Sequence, residues 1–141
     1  MRYIHFCACV AVVAAAESVL ILGGLLTPMS YYSAGNTAFS ILMAAIFILM
    51  GWSLSGAGFK KAAVKGATAA VVAMAIVSLA AVAGYLTNRP VIGMPITSVY
   101  YLPIVLLSIS LTNILIFAIL TVLGAWLAKM MKPRKMSKKK K

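Results

Sequence analysis

The chain is almost without acid. Among its 141 residues Glu17 is the single acidic side chain, His5 the single histidine, and Cys7 and Cys9 the two cysteines. Each scarcity excludes a class of chemistry. Catalysis by paired carboxylates or by a Ser/His/Asp arrangement needs acids that this chain lacks, so no enzymatic activity and no cofactor is expected. His5, Cys7 and Cys9 share one helical stretch on which their side chains diverge, so no metal site is expected from them. One histidine also cannot supply bis-histidine haem ligation. The cysteines stand two positions apart, point to different helix faces and cannot bridge. They are read as small apolar fillers and not as a disulfide framework. Charged residues make up 10% of the chain, whereas a soluble domain carries roughly a quarter. A soluble fold is thereby excluded.

What the chain does have is long apolar runs, with 64% hydrophobic residues. A helix crosses a bilayer in about 20 residues, and only helices and closed barrels satisfy their backbone groups in lipid. The runs are continuous, not alternating, so they read as helices. The expected fold is all-α: a four-helix transmembrane bundle over residues 1–128, followed by a polybasic tail over 129–141. The helices are expected at about 3–26, 37–54, 62–86 and 102–128. Gly23, Gly24 and Pro28 end the first, and Asn36 or Thr37 caps the second. The third is rich in alanine, with Gly66, Ala70, Met74 and Ser78 at four-residue spacing. Small residues so spaced let helix backbones approach in lipid, which makes this the helix expected to be most buried. Pro103 is tolerated in the first turn of the fourth. Arg2, the apolar stretch 4–13 and Ala14-Ala15-Ala16 also have the outline of a secretory signal. The apolar run continues through Leu26, however, and a retained helix is expected.

The net charge is +12, and its placement carries orientation. Twelve of the 13 basic residues are Arg2, Lys60, Lys61, Lys65 and those of the last 13 positions; Arg89 alone lies elsewhere. The excess of Lys and Arg marks the cytoplasmic side, so both termini are expected there. Tyr31, Tyr32, Tyr85, Tyr100 and Tyr101 then fall at the outer interface, and Trp52 and Trp126 at the inner one, as aromatic belts. This clustering is a topology signal, not a nucleic-acid footprint. The expected partners are the lipid bilayer, with anionic lipids at the cytoplasmic face, and other membrane subunits or further copies of the chain. Lys138, Lys139, Lys140 and Lys141 form a topology or headgroup-binding tail, worth on the order of 1 kcal/mol per lysine close to an anionic leaflet. A prokaryotic source implies the plasma membrane. In a eukaryote the end of the tail would resemble an endoplasmic-reticulum retrieval signal.

Shifting the chain by 60 residues lays Val12, Ala15, Ser18, Gly24, Leu26 and Thr27 on Val72, Ala75, Ser78, Gly84, Leu86 and Thr87. Ser30-Tyr31-Tyr32 then corresponds to Ser98-Val99-Tyr100-Tyr101, and Gly51-Trp52 to Gly124-Ala125-Trp126. This is a candidate tandem repeat of a helical hairpin, parallel in the membrane. Glu17 falls on Val77 and breaks the symmetry.

An acid at the centre of a spanning helix costs roughly 2.5–3.5 kcal/mol on insertion scales and faces the bundle interior. Val10, Ala14, Ile21 and Gly24 share the face of Glu17. In the fourth helix Ser110, Asn113, Phe117, Thr121 and Gly124 form one stripe. Asn113 lies at the depth of Glu17, and Ser78 at a comparable one. Glu17, Asn113 and Ser78 thus form the candidate polar site, suited to a proton, a cation or an amine. Two accounts fit it: a neutral Glu17 bonded to Asn113 or to a backbone carbonyl as structural glue, or a coupling site. The leading functional expectation is a non-enzymatic accessory or structural subunit of a membrane assembly. The alternative is a small proton- or cation-coupled transporter using Glu17. A third is a pore-forming or lysis protein. No motif beyond the buried acid assigns a family.

Overall fold

A computed structural model describes residues 3–93 and 99–131. It is all-helical: α1 Tyr3–Leu22, α2 Ala34–Ser53, α3 Phe59–Leu86 and α4 Leu102–Met131, with short 3-10 turns at Ser55–Ala57 and Val99–Tyr101. All four helices are long and apolar enough to cross a membrane. Arg2 and the tail residues Lys138, Lys139, Lys140 and Lys141 lie outside the described residues, as does the loop segment 94–98.

The ends of the helices follow local chemistry. α1 stops four residues before the expected Leu26, because Gly24 adopts a positive φ of 77°. The Leu25 and Leu26 amides then turn back to the Leu20 carbonyl at 2.9 and 3.2 Å, a glycine-based helix stop. α2 begins earlier than expected because the cap is Ser33, whose Oγ accepts from the Asn36 amide at 3.2 Å. α3 begins at Phe59 behind Gly58, which takes a φ of 88°. It ends where Asn88, at φ 54°, lets the Arg89 amide return to the Gly84 carbonyl at 2.8 Å. α4 runs three residues past the expected 128.

The helices form a ring in which α1 packs on α3, α3 on α4, α4 on α2 and, more lightly, α2 on α1. Across the ring α2 touches α3, whereas α1 and α4 do not pack together. α3 is the most buried helix. Its buried stripe is Ala62, Gly66, Ala69, Ala70, Ala73, Val77, Ala80, Ala81 and Gly84, small residues that let two neighbours approach at once. A Cβ on Gly66 would run into the Thr121 side chain of α4. α2 and α4 meet still more closely, backbone to backbone. A Cβ on Gly51 would overlap the Thr121 carbonyl, and one on Gly124 the Ile48 carbonyl.

Contacts at the two ends complete the bundle. At one end the Tyr3 hydroxyl donates to the Lys65 carbonyl at 3.0 Å, and the Lys129 ammonium sits 4.0 Å from the Phe59 ring centroid. At the other, the two long connections pair through their backbones. The Met29 amide donates to the Val91 carbonyl at 2.8 Å, and the Ser30 amide to the Ile92 carbonyl at 3.3 Å. Arg89 donates from Nη1 to the Leu22 carbonyl at 2.7 Å, satisfying an orphan acceptor at the end of α1.

Candidate functional site

Between the helices lies a cavity of about 460 Å³ to which all four contribute. Glu17 and Ala14 come from α1, Met74 and Val77 from α3, and most of the rest of the wall from α2 and α4. Phe47 of α2 is fully buried and stacks on Phe117 of α4 with centroids 4.4 Å apart and planes 9° apart. Phe117 in turn lines the cavity. Met29, Ser30 and Ile92, from the paired connections, close it at the loop end.

Glu17 is half-buried and faces this space, and its carboxyl has no hydrogen-bond or ion-pair partner among the described residues. Asn113 lines the same cavity from α4. The expected direct pairing of the two is not made, because α1 and α4 stand at opposite corners of the ring. Asn113 instead donates from Nδ2 to the Ile109 carbonyl of its own helix at 2.9 Å, which leaves its carbonyl oxygen as an acceptor. Ser78 is half-buried but does not line the cavity. It follows Val77, and one residue turns a helix by about 100°. Val77, the residue that the shifted chain lays on Glu17, does line the cavity.

Asn36 reads in the sequence only as a helix cap, yet it is the third polar side chain of the cavity that matters. It is 6% exposed. Its Nδ2 lies 3.0 Å from the Pro28 and Tyr31 carbonyls, 3.2 Å from the Thr27 carbonyl and 3.3 Å from the Thr27 hydroxyl. Four acceptors around one nitrogen fix which end of the amide is which. The other end, Oδ1, is buried without a hydrogen-bond partner among the described residues. A second, shallower hollow lined by Tyr31, Tyr32 and Thr37 shares Met29, Ser30, Asn36 and Ser40 with the cavity, so these four residues partition the two. A polar residue followed by two turns of α2 gives no sequence signal that its side chain faces inward, since a helix surrounded by lipid carries no polar face for contrast.

Protein-family models, curated proteins and solved structures give no match to this chain. What the site does must therefore be argued from its own residues.

Proposed function

We propose that the chain is a small integral membrane transporter or carrier of protons and monovalent cations, with Glu17 as the coupling group. The supporting observation is the lone acidic side chain of the chain, set five residues before the end of α1 on the wall of a cavity and, among the described residues, left without a protein partner. A carboxyl used as glue bonds to a neighbouring helix. One that exchanges ions must be free to gain and lose a proton or a cation, and acids within spanning segments typically mark such pathways. In this proposal both termini face the cytoplasm, following the bias of Lys and Arg. The partitioning residues Met29, Ser30, Asn36 and Ser40 are then the outer gate. Residues 1–128 and their candidate hairpin duplication would place the hairpins side by side, α1 beside α3 and α2 beside α4. The tail lysines Lys138, Lys139, Lys140 and Lys141 would rest on anionic headgroups.

The test uses vesicles holding the purified protein and a trapped pH-sensitive dye. An imposed cation gradient should change the internal pH, and Glu17→Gln, which keeps the shape and removes the charge, should abolish the change. Equal signals from both proteins would end the proposal. A second reading, a non-enzymatic subunit of a larger membrane assembly, draws on α4, the least buried of the four helices. Purification in gentle detergent with mass identification of co-purifying chains separates the two, and a clean single-component preparation counts against the subunit.

A further inference from the structure

From the donor and acceptor balance of the cavity we infer its ligand class: a monovalent organic ammonium ion bearing N–H groups and an apolar body. The inference rests on the proposed role of Glu17 and narrows it from cations in general to one chemistry.

Beside the hydroxyls of Ser30 and Ser40, which can turn to donate or to accept, the polar side chains of the lining offer acceptors. Glu17 when ionised offers only acceptor oxygens. Asn36 has committed its amide nitrogen to the Thr27, Pro28 and Tyr31 carbonyls, and among the described residues its buried Oδ1 has no partner. Asn113 has turned its nitrogen to Ile109, so its oxygen is the end left over. Leaving a buried acceptor unsatisfied costs about 1–3 kcal/mol, so the occupant that suits this lining donates hydrogen bonds. Among the described residues no Lys or Arg lines the cavity, and Glu17 is its one acid. A single positive charge balances it.

Size and lining decide between an inorganic and an organic cation. A hard metal ion takes six or more oxygens at close range, and Glu17, Asn36 and Asn113 come from three different helices around a space of about 460 Å³. That volume falls within the roughly 300–1,000 Å³ of small-molecule sites, which are mostly apolar with a few placed polar groups. The remaining wall fits an apolar body: Met43 and Met74 supply adaptable thioether surface, and Phe39 and Phe117 supply rings. An ammonium head at Glu17 and Asn113, with a hydrocarbon or aromatic body against the methionines, suits the charge and the apolar wall together.

The experiment is calorimetric titration of the whole protein in phosphatidylcholine nanodiscs. Three probes are compared: 2-phenylethylammonium, its N,N,N-trimethyl analogue with the same charge and body but no N–H, and sodium ion. The primary ammonium should bind at least about tenfold tighter than the quaternary one, as expected when buried acceptors are left unpaired. Glu17→Gln should weaken it by a similar factor, and Asn113→Leu by less. Equal or tighter binding of the quaternary ion to the wild-type protein overturns the inference without need of any variant that might not fold. Cation-driven proton movement with no binding of either ammonium overturns the ligand class and leaves the coupling role standing. Absence of both removes the two together.

Discussion

The crossing of α2 and α4 allows a stability prediction to be worked from distances. Gly124 lies so near α2 that a methyl group there would overlap the Ile48 carbonyl oxygen and lie 2.8 Å from its carbon and 2.9 Å from its Cα. Ordinary contact begins at 3.4 Å. Those atoms belong to a helix backbone and cannot rotate away, so Gly124→Ala must part the helices by at least about 0.6 Å. On a dispersion potential a gap of about 0.5–1 Å forfeits a quarter to a half of each contact. The whole interface loses that fraction, because helices separate as rods. Overpacking of this kind costs on the order of 1–3 kcal/mol, or a fall in melting temperature on the order of 5 °C. Gly51→Ala strikes the same crossing from the other side, so the double variant should cost less than the two singles combined. Gly56 has nothing within 4 Å of its would-be Cβ, and Gly56→Ala should leave the melting point unchanged. The assay is thermal unfolding followed by circular dichroism in mild detergent. A Gly124→Ala protein that melts with wild type, or a Gly56→Ala protein that melts as low as it, would refute the reasoning.

Two further predictions concern the loop end. Asn36→Leu removes the donor shared by the Thr27, Pro28 and Tyr31 carbonyls. It should lower stability by on the order of 2 kcal/mol or more, read by the same melting assay; a neutral result would mean that water replaces the amide at no cost. Orientation can be read in a background with Cys7 and Cys9 replaced by alanine. Tyr32→Cys should react with a membrane-impermeant maleimide on intact cells, and Lys60→Cys only after permeabilisation. Both positions are exposed, so the opposite pattern would invert the proposed topology.

The sequence yields much of the fold and part of the site, and the division has a physical reason. Spans are legible because a continuous apolar run has one stable use in lipid. Glu17 is legible because it is alone. The ring order is not, since helices such as α1 and α4 carry apolar residues on every side and meet lipid and neighbour with the same residue types. Only the small residues betray a contact, which is why Gly66 and Ala70 read correctly as α3 packing positions while Met74 and Ser78, at the same spacing, are only half-buried. Asn36 stayed hidden for a different reason: its side chain is held by the 27–31 connection, and a turn that wraps around one amide leaves no periodic trace. Ser33 took the capping role that its position before Asn36 also allowed.

The lone diagonal contact of the ring has a mechanical consequence. With α2 and α3 touching and α1 and α4 apart, the four rods resolve into two triangles that share the α2–α3 line as a spine. Seen down the rods, five contacts fix the positions of four centres, so the diagonal braces the ring against shear. The distance between the helices that carry Glu17 and Asn113 is set by that bracing, and it changes only where the α2–α3 contact gives way.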